Sequence, residues 1–400
     1  MLRRTLPVYS PISPSTIVAG WRNASPRARN DLAGLVRQRT GAVAAFLTGT
    51  GTQALTLAIR AAGRPGRPPR VALPGFGCFD LVSAAVGADA QITFYDVDPA
   101  SLNPDQESVA RALADDLDAI VVVHHYGVAA DIAGVRAAAA RASRPIAVIE
   151  DAAQAFGLEV SGRAAGAFGD LAVFSFGRGK GWTGGNGGAL VASGAEWADR
   201  ARVVGAGSLP DRATGTAGAQ LFAQWLFGFP SLFGVVSRLP WLHIGETPYH
   251  DPKPPRSIGQ GAAGVLLAGY PAAVKEASFR WDAGDKWYTD LLGHPAVTEP
   301  VPPPSTRPGW LRFPLVLATP ELREAFCADQ RVWGVMPMYP MSLDRLPAVR
   351  ARLIRSEPLT GAAALVSRGL TLPTHSRLGP VGRGKLRSGF ESAPLSNFQR

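Results

Sequence analysis

With 400 residues, 46% of them hydrophobic and 18% charged, the chain can bury a full core and is not a disordered segment. A net charge of +10 points first to nucleic acid, but the arginines are scattered, without a basic run, zinc-ligand spacing or interleaved aromatic stripe. No nucleic-acid partner is expected, and the charge reads as a general attraction for anionic small molecules. Cys78 and Cys327, the only cysteines, offer no disulfide framework and fit a reducing compartment. Prolines interrupt the start MLRRTLPVYSPISPSTIVAGW, so no signal peptide is expected and the expected location is cytoplasmic.

Residues Pro26 to Arg39 predict the first helix, with Ser25 as N-cap and Pro26 at its first position. In FLTGTGTQALTLAIRAAG, Gly49 to Thr52 form a turn that opens a helix with Leu55, Ala58, Ile59 and Ala62 on one face. The N–H groups and dipole of such a helix start suit a phosphate, although a threonine after glycine is also an ordinary cap. VALPGFGCFDLVSAAVGADAQITFYDVDP reads as strand, loop, helix and strand, and another helix is expected near Pro104. The strand AIVVVHHYG runs into His124 and His125. Adjacent strand residues point to opposite faces and no third ligand stands at a useful spacing, so no metal site is expected. Gly127 to Asp131 lead into a crossover helix.

Alternation from Val71 to Ile149 gives repeated βαβ units, hence an α/β fold with a mostly parallel sheet covered by helices on both faces. Ligands in such sheets lie beyond the carboxyl ends of the strands, where His124, Asp151 and Ser175 fall.

The stretch from Ile146 to Val191 carries the chemistry. Lys180 stands in a glycine-rich turn after an apolar strand, and the other lysines are only Lys253, Lys275, Lys286 and Lys385. An amine forms an imine with a carbonyl, whereas a guanidinium does not. Asp151 ends a strand that reads as buried on both faces, where an unpaired carboxylate is costly, so a cationic partner is expected. Gln154 is read as one helical turn beyond Asp151, facing the same ligand. An aspartate opposite a protonated ring nitrogen and a lysine holding an aldehyde are the minimum site for pyridoxal phosphate (PLP).

Past Val191, a helix near Ala195 is expected to end by Val204. The apolar stretch of residues 221–246 is broken by Pro230 and too short to span a bilayer, which needs ~20 apolar residues. It reads as a helical insertion packed on the body or on a second subunit, or resting on a membrane surface, though without a basic face. Two helices are expected from Pro271 to about Leu292, then a proline-rich link, a strand at LRFPLVL, a helix at ELREAFCADQRVWG and a final LTLPTH. The tail after Gly379 is expected to be mobile. The chain thus divides into a large domain, residues 1–255, and a smaller α+β domain, residues 256–400.

E-D-A-A-Q-A, then G-x-F-G-D, then F-S-F-x-x-x-K, then G-x-G-G occur in an order and spacing that resembles the DegT/DnrJ/EryC1/StrS family of PLP-dependent sugar aminotransferases. That family has the aspartate-aminotransferase fold (fold type I), with a three-layer α/β/α large domain and a smaller C-terminal domain. The resemblance runs from about Val43 to His375. It implies that Lys180 carries PLP, Asp151 faces the pyridine nitrogen, Gln154 touches the ring-hydroxyl side, and Gly51, Thr52 and Ser175 hold the phosphate. It also places His124 near the cofactor. The family stacks an aromatic ring on the cofactor where this chain has Cys78, and Phe79, with Phe76 as the alternative, is expected to supply that face. The asparagine that reaches the neighbouring subunit's phosphate in relatives is Pro254 here, with Arg256 and Arg178 as candidate replacements.

The activity implied is transamination of a keto-sugar, expected to be nucleotide-linked, with an amino acid such as glutamate as donor. The implied context is polysaccharide or secondary-metabolite biosynthesis, at a site shared in a homodimer. The family's dehydratase branch has histidine in place of Lys180. Another PLP reaction (a lyase or an amino-ring-forming synthase) and a regulatory protein that merely retains PLP are the alternatives.

Overall fold

Two serine–proline pairs begin the helical frame. The computed structural model describes residues 4–211, 217–236, 247–298, 302, 305–355 and 357–391. Ser25 accepts a hydrogen bond from the Ala28 N–H (3.2 Å), and Pro26–Thr40 forms the expected helix. The same signal upstream, with Ser13 accepting from the Thr16 N–H (3.1 Å) ahead of Pro14, starts a further helix, Pro14–Arg22.

Strands β1 (Ala44–Thr48), β2 (Arg70–Pro74), β3 (Gln91–Tyr95), β4 (Ala119–Val123) and β5 (Ala147–Asp151) are followed by a short hairpin, β6 (Glu159–Val160) and β7 (Arg163–Ala164). Then come β8 (Leu171–Ser175) and β9 (Gly188–Ala192). The main sheet runs β1-β9-β8-β5-β4-β2-β3 and is completed beyond β3 by Leu353–Arg355 from the C-terminal half. Pairings from β8 to that last strand are parallel, while β9 is antiparallel to both β8 and β1. The sheet is therefore mostly parallel, as expected.

Its side chains divide with a period of two between two apolar layers. Val71, Leu73, Ala119, Val121, Ala147 and Ile149 join one core, with Leu57 and Ile59 of the helix Gly51–Ala62. Ala72, Ile120, Val122 and Val148 join the other, with Val109 and Val135 of the helices Gln106–Leu113 and Ile132–Ala139. Burial on both faces explains why these strands are unbroken apolar runs, and it makes the large domain a three-layer α/β/α sandwich.

The C-terminal half adds β10 (Val297–Thr298), β11 (Thr306–Arg307), β12 (Phe313–Leu317), β13 (Met336–Pro337), β14 (Leu353–Arg355) and β15 (Gly369–Leu372). A second, antiparallel sheet has the order β10-β12-β15-β13, while β11 pairs with β6 and β14 is the strand lent to the main sheet.

Two expectations are corrected here. The pair of helices placed after Pro271 is a single helix, Gln260–Leu291, that runs through this proline. An interior proline costs ~3 kcal/mol, and tertiary packing offsets it. A β-carbon on Gly264 would lie 2.1 Å from the Gly20 carbonyl, so glycine lets this helix meet Pro14–Arg22 at backbone distance. The tail after Gly379 is not loose up to Glu391 either, because Gly379–Glu391 is helical, with Leu386 and Phe390 0% and 3% exposed, while residues 392–400 lie outside the described residues. Their i,i+4 spacing was masked in the sequence by Gly382, Gly384 and Gly389.

Of the apolar stretch, Ala217–Leu226 and Pro230–Val236 contain helices, and residues 237–246 lie outside the described residues. Leu221 packs with Ile12, Ile17 and Val265, and the Arg377 guanidinium lies over the Phe229 ring at 4.8 Å. Among the described residues no helix is long and apolar enough to cross a membrane.

Candidate active site

Three parallel strands deliver their carboxyl ends to one place: β4 to Val123, β5 to Asp151 and β8 to Ser175. Beside them begins the helix Gly51–Ala62, whose Thr50 cap accepts from the Gln53 N–H (3.2 Å). An open cleft of about 510 Å³ forms there, lined among others by Gly51, Thr52, Asp151, Gln154, Ser175 and Lys180. Cys78, Asp80 and Tyr339 also line it. Of the residues assigned to the cofactor, Gly51, Thr52, Asp151, Gln154, Ser175 and Lys180 therefore meet in one cleft, and Phe79 does not join them.

One end suits a phosphate. The helix start meets Ser175 at a distance only glycine allows, since a β-carbon on Gly51 would lie 2.7 Å from the Ser175 Cβ. Neither the Thr52 nor the Ser175 hydroxyl is hydrogen-bonded by another described residue, so both are left to a ligand at the positive end of the helix dipole.

Asp151 is 8% exposed, accepts one hydrogen bond, from the Ala153 N–H (2.9 Å), and has no ion-pair partner among the described residues. Burial pushes its carboxyl above the ordinary aspartate range, and the Ala153 amide and the Lys180 charge only partly oppose this. The Lys180 ammonium thus acts on Asp151 across the cleft without touching it. Such a carboxylate is suited to a ligand cation.

Lys180 is presented by a pinned loop. The Thr183 hydroxyl donates to the Phe176 and Gly177 carbonyls (3.1 and 3.0 Å), and Trp182 Nε1 donates to the Leu266 carbonyl (2.8 Å). Ser10 Oγ donates to the Lys180 carbonyl (2.7 Å), while Lys180 Nζ makes no hydrogen bond to a described residue. The backbone is held and the amine is left for chemistry.

Gln154 lies in a turn rather than on a helix, so the expected helical spacing from Asp151 does not exist. The side chain still reaches the cleft, because its carbonyl accepts from the Tyr126 N–H (2.8 Å) and its amide donates to the Tyr339 hydroxyl (2.7 Å). Tyr339 stacks on Tyr126 at 6.0 Å. This C-terminal phenol lines the cleft, and it was not marked in the sequence.

His124 sits elsewhere. Its Nδ1 accepts from the Ala130 N–H (2.9 Å), so Nε2 carries the proton donated to Glu150 (2.9 Å). Glu150 also accepts from the backbone of Gly166, Phe168 and Gly169, and the pair ties the sheet to the following loops. Cys78 lines the inner cleft, where burial pushes its thiol up to about 12. Phe76 is fully buried behind Tyr339, at 5.3 Å. Phe79 lines a second, wider cleft of about 1370 Å³ that shares Gln154, Lys180 and Tyr339 with the first and also holds Arg178 and Arg312. Pro254 and Arg256 pass beside the phosphate end. Gln53 Nε2 donates to the Pro254 carbonyl (2.9 Å), the Arg256 carbonyl accepts from the Gly49 N–H (2.7 Å), and the Arg256 side chain is exposed.

PLP fits this arrangement. The unpaired buried carboxylate matches a pyridinium, the glycine-shaped helix start a phosphate and the free amine an aldehyde. The fold is that of the fold type I PLP-dependent proteins. Within that class the chain belongs to the DegT/DnrJ/EryC1/StrS aminotransferase family, whose model matches residues 18–234. It is 39% identical over 151 residues to an L-glutamine:2-deoxy-scyllo-inosose aminotransferase of Streptoalloteichus tenebrarius. That alignment covers 38% of this chain and 35% of the relative, so the chain spans about a third of the curated protein's length. It is also 35% identical over 157 residues to a pleiotropic regulatory protein of Geobacillus stearothermophilus, covering 39% of this chain and 41% of that one. A DegT DnrJ EryC1 StrS aminotransferase from Brucella abortus has the same fold, with a TM-score of 0.71 at 23% identity over 94% of this chain and 93% of that one.

Proposed function

We propose that the protein is a PLP-dependent aminotransferase that moves an amino group from an amino acid to the carbonyl carbon of a polyhydroxylated ring, a keto-sugar or a close analogue. The observation that carries this is Asp151 and Lys180 facing one cleft, the acid without an ion-pair partner and the amine without a hydrogen bond among the described residues. When bound, PLP supplies the electron sink that makes a donor's α-proton removable. Asp151 holds the proton on the pyridine nitrogen. Lys180 Nζ would hold the cofactor's aldehyde and, when free, would carry the proton taken from the donor's α-carbon. Thr52, Ser175 and the helix start fix the phosphate, and Gln154, locked between Tyr126 and Tyr339, fixes the ring-hydroxyl side.

The names of the glutamine-dependent relatives make L-glutamine a donor to test beside glutamate. A nucleotide-linked acceptor is supported by the width of the outer cleft, about 1370 Å³, and by exposed Arg178 on its wall. Phe79, on the same wall, would border the acceptor rather than supply the stacking face. A shared site in a homodimer and a cytoplasmic location belong to the same reading.

The deciding experiment incubates the protein with PLP and L-glutamine or L-glutamate. The visible band of the lysine-held cofactor should bleach, with release of the matching keto acid. A purely regulatory protein, the reading prompted by the Geobacillus relative, would keep the band and release nothing.

A further inference from the structure

The helices Ala217–Leu226 and Pro230–Val236 carry no charge of their own, since no acidic residue occurs between Asp211 and Glu246 and no basic one between Arg212 and Arg238. Both are fixed on the body. Leu221 packs inward with Ile12, Ile17 and Val265, and the Arg4 N–H donates to the Pro230 carbonyl (2.9 Å). Phe222 and Leu232 nevertheless stay 50% and 40% exposed, far more than residues of a covered apolar face. The rings of Phe222, Trp225 and Phe229 follow one another at 5.2 and 5.5 Å, so the apolar surface is continuous.

The basic face that this stretch lacks in sequence is supplied by the fold. The Arg377 guanidinium lies over the Phe229 ring at 4.8 Å and the Arg4 guanidinium over the Phe233 ring at 5.9 Å. The exposed Arg331 is near enough to Arg4 to oppose its charge, and none of these three arginines pairs with a carboxylate of a described residue.

We propose that this face rests on an anionic lipid bilayer, with the aromatic ladder in the headgroup–acyl boundary and Arg4, Arg331 and Arg377 at the lipid phosphates. Aromatic rings favour that boundary, and guanidiniums beside them favour an anionic surface. Neither helix is long enough to cross, so the contact is with one leaflet. A second copy of the chain suits the face less well. A two-fold contact would set the same three arginines against their counterparts, with no acid in the stretch to pair them. Such docking does not depend on the reaction catalysed.

Co-sedimentation of the full-length, PLP-loaded protein with vesicles tests this, using phosphatidylcholine alone and phosphatidylcholine mixed with phosphatidylglycerol. Wild type should pellet with the mixed vesicles, and Phe222→Ser with Leu232→Ser should partition about tenfold or more weakly at an unchanged melting temperature. Val274→Ser with Phe279→Ser, which alters exposed apolar residues of another helix, should bind as wild type does. Arg377→Gln should weaken binding to the mixed vesicles about fivefold and leave neutral vesicles unaffected, which tests the face even if the double variant does not fold. The assignment is overturned if wild type ignores the mixed vesicles, or if both the Phe222/Leu232 and the Arg377 variants bind them as wild type does. It is also overturned if the Phe222/Leu232 variant keeps its vesicle binding and instead shows a smaller particle by light scattering, because the face would then belong to a second copy.

Discussion

Gly51 and Ser175 are packed so closely that the helix start and the end of β8 form one surface, with 2.7 Å between a β-carbon built on the first and the Cβ of the second. Gly51→Ala must move the helix start away from Ser175. Overpacking of this kind costs about 1–3 kcal/mol, and here it should appear mainly as weaker cofactor binding. Absorbance titration with PLP should give an affinity lower by about tenfold or more, and an unchanged affinity would show that this junction does not hold the phosphate.

Lys180→Ala removes the amine without disturbing the loop, which Thr183 and Trp182 pin independently. The variant should fold with an unchanged melting temperature, lose the visible band and lose about 10²–10⁴-fold or more in turnover, the size of a general acid–base contribution. A persistent band would move the covalent role to another residue.

Asp151 gives a pH signature. Its carboxyl is raised in the folded chain, so ionisation is harder there than in the unfolded chain. The resulting destabilisation of the cofactor-free protein is absent below the ordinary aspartate range, grows as pH rises through it, and levels off above the raised value. Cofactor-free Asp151→Asn should therefore melt higher than cofactor-free wild type at neutral pH, and the two should converge in acid. The PLP-loaded order should reverse, because only the carboxylate balances a pyridinium. Equal melting curves at neutral pH would contradict the placement of this acid.

Phe390, packed against Phe326 with tilted rings 4.2 Å apart, tests the terminal helix. Phe390→Ala should cost about 3–5 kcal/mol in denaturant unfolding, against almost nothing for a residue in a loose tail.

The legible parts of this protein are those where local chemistry and tertiary role coincide. Lys180 among glycines, Asp151 at the end of an apolar run and Ser25 before Pro26 each announce their job within a few residues. Arg312 and Tyr339 do not, because what matters about them is which distant groups they meet: Thr371 for the one, Gln154 for the other. The long helix hid behind Pro271, since a proline's local penalty is visible and the packing that offsets it is not. Gln154 reached the cleft by a turn where a helix was expected, so its position was right for a geometric reason that was wrong.

The contact between Ser10 and the Lys180 carbonyl has a practical corollary. The neighbouring Leu6 and Tyr9 carbonyls are gripped by His375 (2.8 Å) and Arg280 (2.6 Å), so the amino-terminal strap laces both halves of the molecule to the reactive loop. Trimming this strap, or fusing a bulky purification handle against it, would detune the nucleophile from outside the catalytic cleft.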